Sequence, residues 1–60
     1  MRLIETTGGP MGICKTYYQH AYNEYVVKFL EHGRGDVKAT YHTDDKRDAL
    51  ATALNMAHGV

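Results

Sequence analysis

The chain predicts an α+β fold: an antiparallel β-meander of three to four strands, then one C-terminal α-helix packed on one face. Three observations carry this. Residues 25–30 and 37–43 alternate with the period of two that strands require. Two glycine-rich breaks, Gly8-Gly9-Pro10-Met11-Gly12 and Gly33-Arg34-Gly35, punctuate the chain. From residue 43 onward the apolar spacing changes to that of a helix.

Arg2–Thr7 is the candidate fourth strand. The first break follows it, with Pro10 unable to donate to a ladder. Two strand-like runs lie between the breaks, bent at Ala21-Tyr22-Asn23. The run Tyr25–Leu30 is rich in aromatic and β-branched residues. It sets Tyr25, Val27 and Phe29 on one face and Glu24, Val26, Lys28, Leu30 and His32 on the other. The next run sets Val37, Ala39 and Tyr41 against Lys38, Thr40 and His42. For the two apolar sets to share a face, opposed residues must have numbers with an even sum. A three-residue loop Gly33-Arg34-Gly35, with His32 opposite Asp36, meets that condition and gives Gly35 the left-handed position of such loops. A two-residue turn would bury Lys38, Thr40 and His42, which costs desolvation.

In the last third, Leu50, Ala53, Leu54 and Ala57 fall at i, i+3, i+4 and i+7. This spacing predicts a helix of about 15 residues, with Thr43 as N-cap, Asp44 and Asp45 in the first turn, and His58 and Gly59 at its C-terminus. A single helix covers one face of a sheet. The other face, bearing Lys28, His32, Lys38 and His42, is left bare.

The chain has 60 residues, enough for a single domain spanning 1–60. Seven basic and seven acidic residues cancel, so no excess charge drives non-specific binding to nucleic acid or anionic lipid. No apolar run reaches the roughly 20 residues of a membrane span, and the first residues lack the apolar stretch of a signal peptide. The lone Cys14 has no internal disulfide partner, which makes the cytoplasm of a cell the expected compartment.

Catalytic and metal chemistry find little support. His20, His32 and His42 are candidates for the open face, and Cys14 shares the alternation of His20. No two of them have the close spacing of zinc ligand pairs, so solvated histidines are the simpler reading. Asp44, Asp45 and Asp48 are explained by helix capping. The glycine-rich segment lacks the Gly-Lys-Ser/Thr of a phosphate loop. The expectation is no enzyme, no cofactor and no metal.

Five tyrosines with no tryptophan exceed what one covered face can hold. Tyr18 and Tyr22 with one other are expected to be exposed, either as binding surface or as strand formers packed along their neighbours. Lys28, Lys38, His32 and His42 share the open face, Arg34 sits at the hairpin tip, and Lys15 lies nearby. The expected partner-binding residues are Tyr18, Lys28, Arg34, Lys38 and His42.

With Tyr25-Val26-Val27 in the middle strand, then Tyr41-His42-Thr43 leading into a helix with Ala49, Ala53 and Ala57, the order from Gly12 to Gly59 resembles two DNA-binding families. These are the ethylene-response-factor domain of plants and the arm-binding domain of phage tyrosine recombinases. The resemblance implies a sheet laid in the major groove, although those sheets are rich in Arg and Trp and this one has neither at its centre. The ending Thr43-Asp44-Asp45-Lys46-Arg47-Asp48-Ala49-Leu50 also resembles small phage proteins that bind and block a host enzyme, such as RNA polymerase inhibitors and anti-CRISPR proteins. That resemblance implies a non-catalytic inhibitor acting by stoichiometric binding to a host protein or protein–nucleic-acid complex. Net neutrality favours the inhibitor over the DNA-binding regulator. Self-association into a homodimer, through the open face or an edge strand, is a third possibility.

Overall fold

A computed structural model of the protein describes residues 1–32 and 35–59. The elements run β1 (Arg2–Gly9), β2 (Gly12–Gln19), a 3-10 turn (His20–Tyr22), β3 (Glu24–Glu31), β4 (Ala39–Thr43) and α1 (Lys46–His58). The strands form one antiparallel sheet in the order β1-β2-β3-β4, so the N-terminal segment is a full strand. It extends through Gly8 and Gly9, which shortens the first turn to Pro10-Met11.

The β3–β4 register is the even-sum one, pairing Tyr25 with Thr43, Val27 with Tyr41 and Phe29 with Ala39. Strand β4 is shorter than expected, because pairing begins at Ala39. Val37 therefore lies outside the sheet and is 46% exposed. His32 does not pair with Asp36; its Nε2 lies 2.8 Å from the Gly9 carbonyl oxygen. Of the expected loop Gly33-Arg34-Gly35, Gly33 and Arg34 lie outside the described residues.

The β2–β3 register has odd sums, pairing Cys14 with Phe29, Thr16 with Val27 and Tyr18 with Tyr25. Its cause is the connection: the 3-10 turn plus Asn23, which adopts a left-handed φ of 50°, puts four residues between the closing pair Gln19 and Glu24. Cys14, Thr16 and Tyr18 consequently share the helix-facing side. This corrects the expectation that grouped Cys14 with open-face histidines.

Helix α1 starts two residues later than its periodicity implies, at Lys46. Asp45 is the N-cap, accepting hydrogen bonds from the N–H groups of Arg47 (2.9 Å) and Asp48 (3.4 Å). Thr43 instead accepts from the N–H of Asp45 at 3.2 Å. A carboxylate outcompetes a hydroxyl here because its charge also meets the helix dipole. Gly59 ends the helix in the left-handed region at φ 76°, with its N–H bonded to the Asn55 carbonyl.

The buried stripe of α1 is Ala49, Ala53 and Ala57, each fully buried against Cys14, Val27 and Phe29. Leu50 is only half-buried and Leu54 is 51% exposed, so the expected leucine face is rotated toward β1. Small residues win because they let the helix backbone approach the sheet. The Met11 N–H donates to the Ala57 carbonyl at 2.9 Å. A Cβ on Gly9 would lie 2.4 Å from that same oxygen, which makes glycine obligatory there.

Candidate functional site: the uncovered sheet face

The helix covers one side of the sheet; among the described residues no element covers the other. Three rungs of that open side can be read across the strands. The first runs Leu3, Tyr17, Val26, His42. Leu3 joins it through a β-bulge between Leu3 and Glu5, which shifts the β1 register. The second rung runs Thr6, Lys15, Lys28, Thr40, and the third Gly8, Ile13, Leu30. Lys38 extends the third, its N–H donating to the Phe29 carbonyl at 2.7 Å.

Charge on this face is unevenly satisfied. His42 Nδ1 lies 3.1 Å from Glu24 Oε1, and the Lys38 ammonium pairs with the Glu31 carboxylate. Lys15 and Lys28 stand directly opposite one another in the ladder, and among the described residues neither forms an ion pair. Like charges across a rung are destabilising. Lys28 relieves part of this by setting its Nζ 5.4 Å from the centre of the Tyr17 ring, a cation–π contact. Apolar residues flank the lysines, with Leu3 and Ile13 both exposed. Val26 is 1% exposed although it faces away from the helix, shielded in its rung by neighbours such as Tyr17 and His42.

The structure divides the expected contact residues. Lys28, Lys38 and His42 fall on the open side. Tyr18 does not: it pairs with Tyr25 on the helix-facing side, ring centres 5.1 Å apart, and its hydroxyl donates to Asn23 Oδ1 at 2.6 Å. Arg34 lies outside the described residues. Tyr17 takes the place expected of Tyr18, and Lys15 joins the centre of the face. The alternation of Ile13, Lys15 and Tyr17 was visible in the sequence. Its assignment to the open side depended on the four-residue connection to β3. Tyr22 is exposed as expected, and Tyr41 is the other exposed tyrosine.

The remaining chemical groups are dispersed. Cys14 is buried, and burial pushes its thiol pKa up while contact with the Ala57 backbone opposes the shift. The Tyr41 hydroxyl donates to Asp48 Oδ2 at 2.5 Å, and this carboxylate raises the phenol pKa. Among the described residues no three His, Cys, Asp or Glu side chains gather as a metal site. No described helix is long and apolar enough to cross a membrane. No protein family, no characterised protein and no solved structure matches this chain.

Proposed function

We propose that the protein acts by stoichiometric binding, using the open sheet face to occupy and inhibit a larger host protein or protein–nucleic-acid complex, as the small phage inhibitors it resembles do. The observation that carries this reading is the Lys15–Lys28 rung, a like-charge pair that among the described residues has no carboxylate partner, on a face that also exposes Leu3 and Ile13. Such a pair costs the isolated domain stability and is repaid by an acidic partner surface. The flanking apolar groups supply contact area, while the lysines steer the encounter. Its site of action is then the cytoplasm of the host cell.

The same two lysines favour one other reading, a DNA-binding regulator laying this face on phosphates. The two separate by experiment. For the inhibitor, activity of the captured host complex falls in proportion to added protein until one equivalent is reached. The double variant Lys15→Glu with Lys28→Glu fails to inhibit while staying folded. Random duplex DNA is not shifted at low salt. A shift that weakens steeply with salt and vanishes in the double variant would replace inhibition with DNA binding. Full inhibition by the double variant would remove the open face from either role.

A further inference from the structure

We infer that β1 is a dimerisation edge, pairing antiparallel with β1 of a second copy about a two-fold axis normal to the sheet. This surface is separate from the open face, so the dimer stands or falls independently of the role proposed for that face. Strand β1 is an edge strand of eight residues, RLIETTGG, with no lysine and no proline in it. Edge strands are usually guarded by such residues, by shortness or by charge. The opposite edge, β4, has five residues and is braced by Tyr41–Asp48 and His42–Glu24. The guards of β1, the bulge near Leu3 and the charges of Arg2 and Glu5, all lie in its first half, so residues 6–9 carry none of them.

The backbone geometry names a register. The two-residue turn makes Gly9 and Gly12 the closing pair, so alternation turns the N–H and C=O groups of Thr6 and Gly8 outward. Centring the two-fold on Thr6 sets Thr6 against Thr6 of the second copy, a favourable cross-strand pair. It sets Glu5 opposite Thr7 of the second copy, whereas centring one residue earlier would oppose two Glu5 carboxylates. The zero net charge of the chain removes long-range repulsion between copies. Beside this edge runs a groove of about 570 Å³ between residues 5–8 of β1 and Leu50, Ala51 and Leu54 of α1. In the dimer the two helices lie on one side, and the exposed Leu54 of each copy gains an apolar neighbour.

The register has a consequence on the other side. Because Thr6 pairs with Lys15 and Lys15 with Lys28, the second rung becomes continuous across the dimer. Four lysines then lie in one row, with the two Lys15 strands roughly 14 Å apart, three strand spacings.

Light scattering across a concentration series, coupled to size exclusion, tests this. The wild type is expected to reach twice the 6.8 kDa chain mass as concentration rises. Thr6→Pro removes an outward N–H without touching the β1–β2 ladder and should weaken dimerisation by about tenfold or more. Leu54→Glu alters only exposed helix surface and should weaken it comparably, which keeps the test decisive if the proline variant misfolds. A wild type that stays monomeric up to millimolar concentration overturns the inference. So does a dimer whose affinity neither variant changes.

Discussion

The two faces of the sheet are built from the same strands, yet they are organised by opposite rules. The helix-facing side is closed by small residues: three fully buried alanines lie over Cys14, Val27 and Phe29, and Gly9 admits the helix terminus. The open side carries longer side chains, Lys15, Tyr17, Lys28 and His42, and among the described residues no second layer covers them. Tight packing on one side makes substitutions there costly in stability. On the other side they should alter binding with little effect on folding. That difference is what separates structure from candidate function in so short a chain.

The largest effect is expected at the closed side. Gly9→Ala forces a methyl against the Ala57 carbonyl and should lower unfolding free energy by about 3 kcal/mol, read from urea denaturation. An unchanged midpoint would show that the helix terminus is not held where the structure places it. Next comes Thr16, fully buried on the helix side, whose Oγ1 finds no hydrogen-bond partner among the described residues. Thr16→Val keeps the shape and removes an unpaired polar atom, so stability should rise by about 1 kcal/mol. A loss would mean that the hydroxyl is satisfied after all.

On the open side the sign reverses between stability and function. Lys15→Glu turns a like-charge rung into an oppositely charged one and should raise stability by about 0.5 kcal/mol. The same substitution should abolish partner binding. A variant that binds normally would sever the lysine rung from function. The smallest effect concerns pH. The folded state raises the Tyr41 pKa, so the contribution of this group is full below the ordinary phenol range and is lost as pH rises through the raised value. Tyr41→Phe should lower stability slightly at neutral pH, where the hydroxyl's contribution is full, and flatten that alkaline decline in a pH series of thermal melts.

The architecture is legible in the sequence because each strand carries its own alternation, and because the β3–β4 register follows from matching two apolar sets. Ala53 and Ala57 are buried as the spacing implies, but Leu50 and Leu54 are not in the centre of that face, because periodicity weighs leucine above alanine. Close approach to a sheet favours the reverse, and Leu54 went to the rim. Tyr18 lies on the unexpected side for a different reason. The side on which β2 shows a residue is set by how many residues the 3-10 connection inserts, and composition does not encode that number. Lys28, Lys38 and His42 were legible because they lie on strands whose apolar partners identify the covered face.

Neighbouring residues on β2 offer the most direct measurement. Cys14 is fully buried beneath the helix, its pKa raised by desolvation, while Ile13 points the other way and is 38% exposed. In an Ile13→Cys variant, a thiol reagent with mass-spectrometric readout should modify position 13 in the native protein and reach Cys14 only at the rate of unfolding. Equal protection of both thiols would mean that the second face is covered. Equal reactivity would mean that the helix does not seal the first.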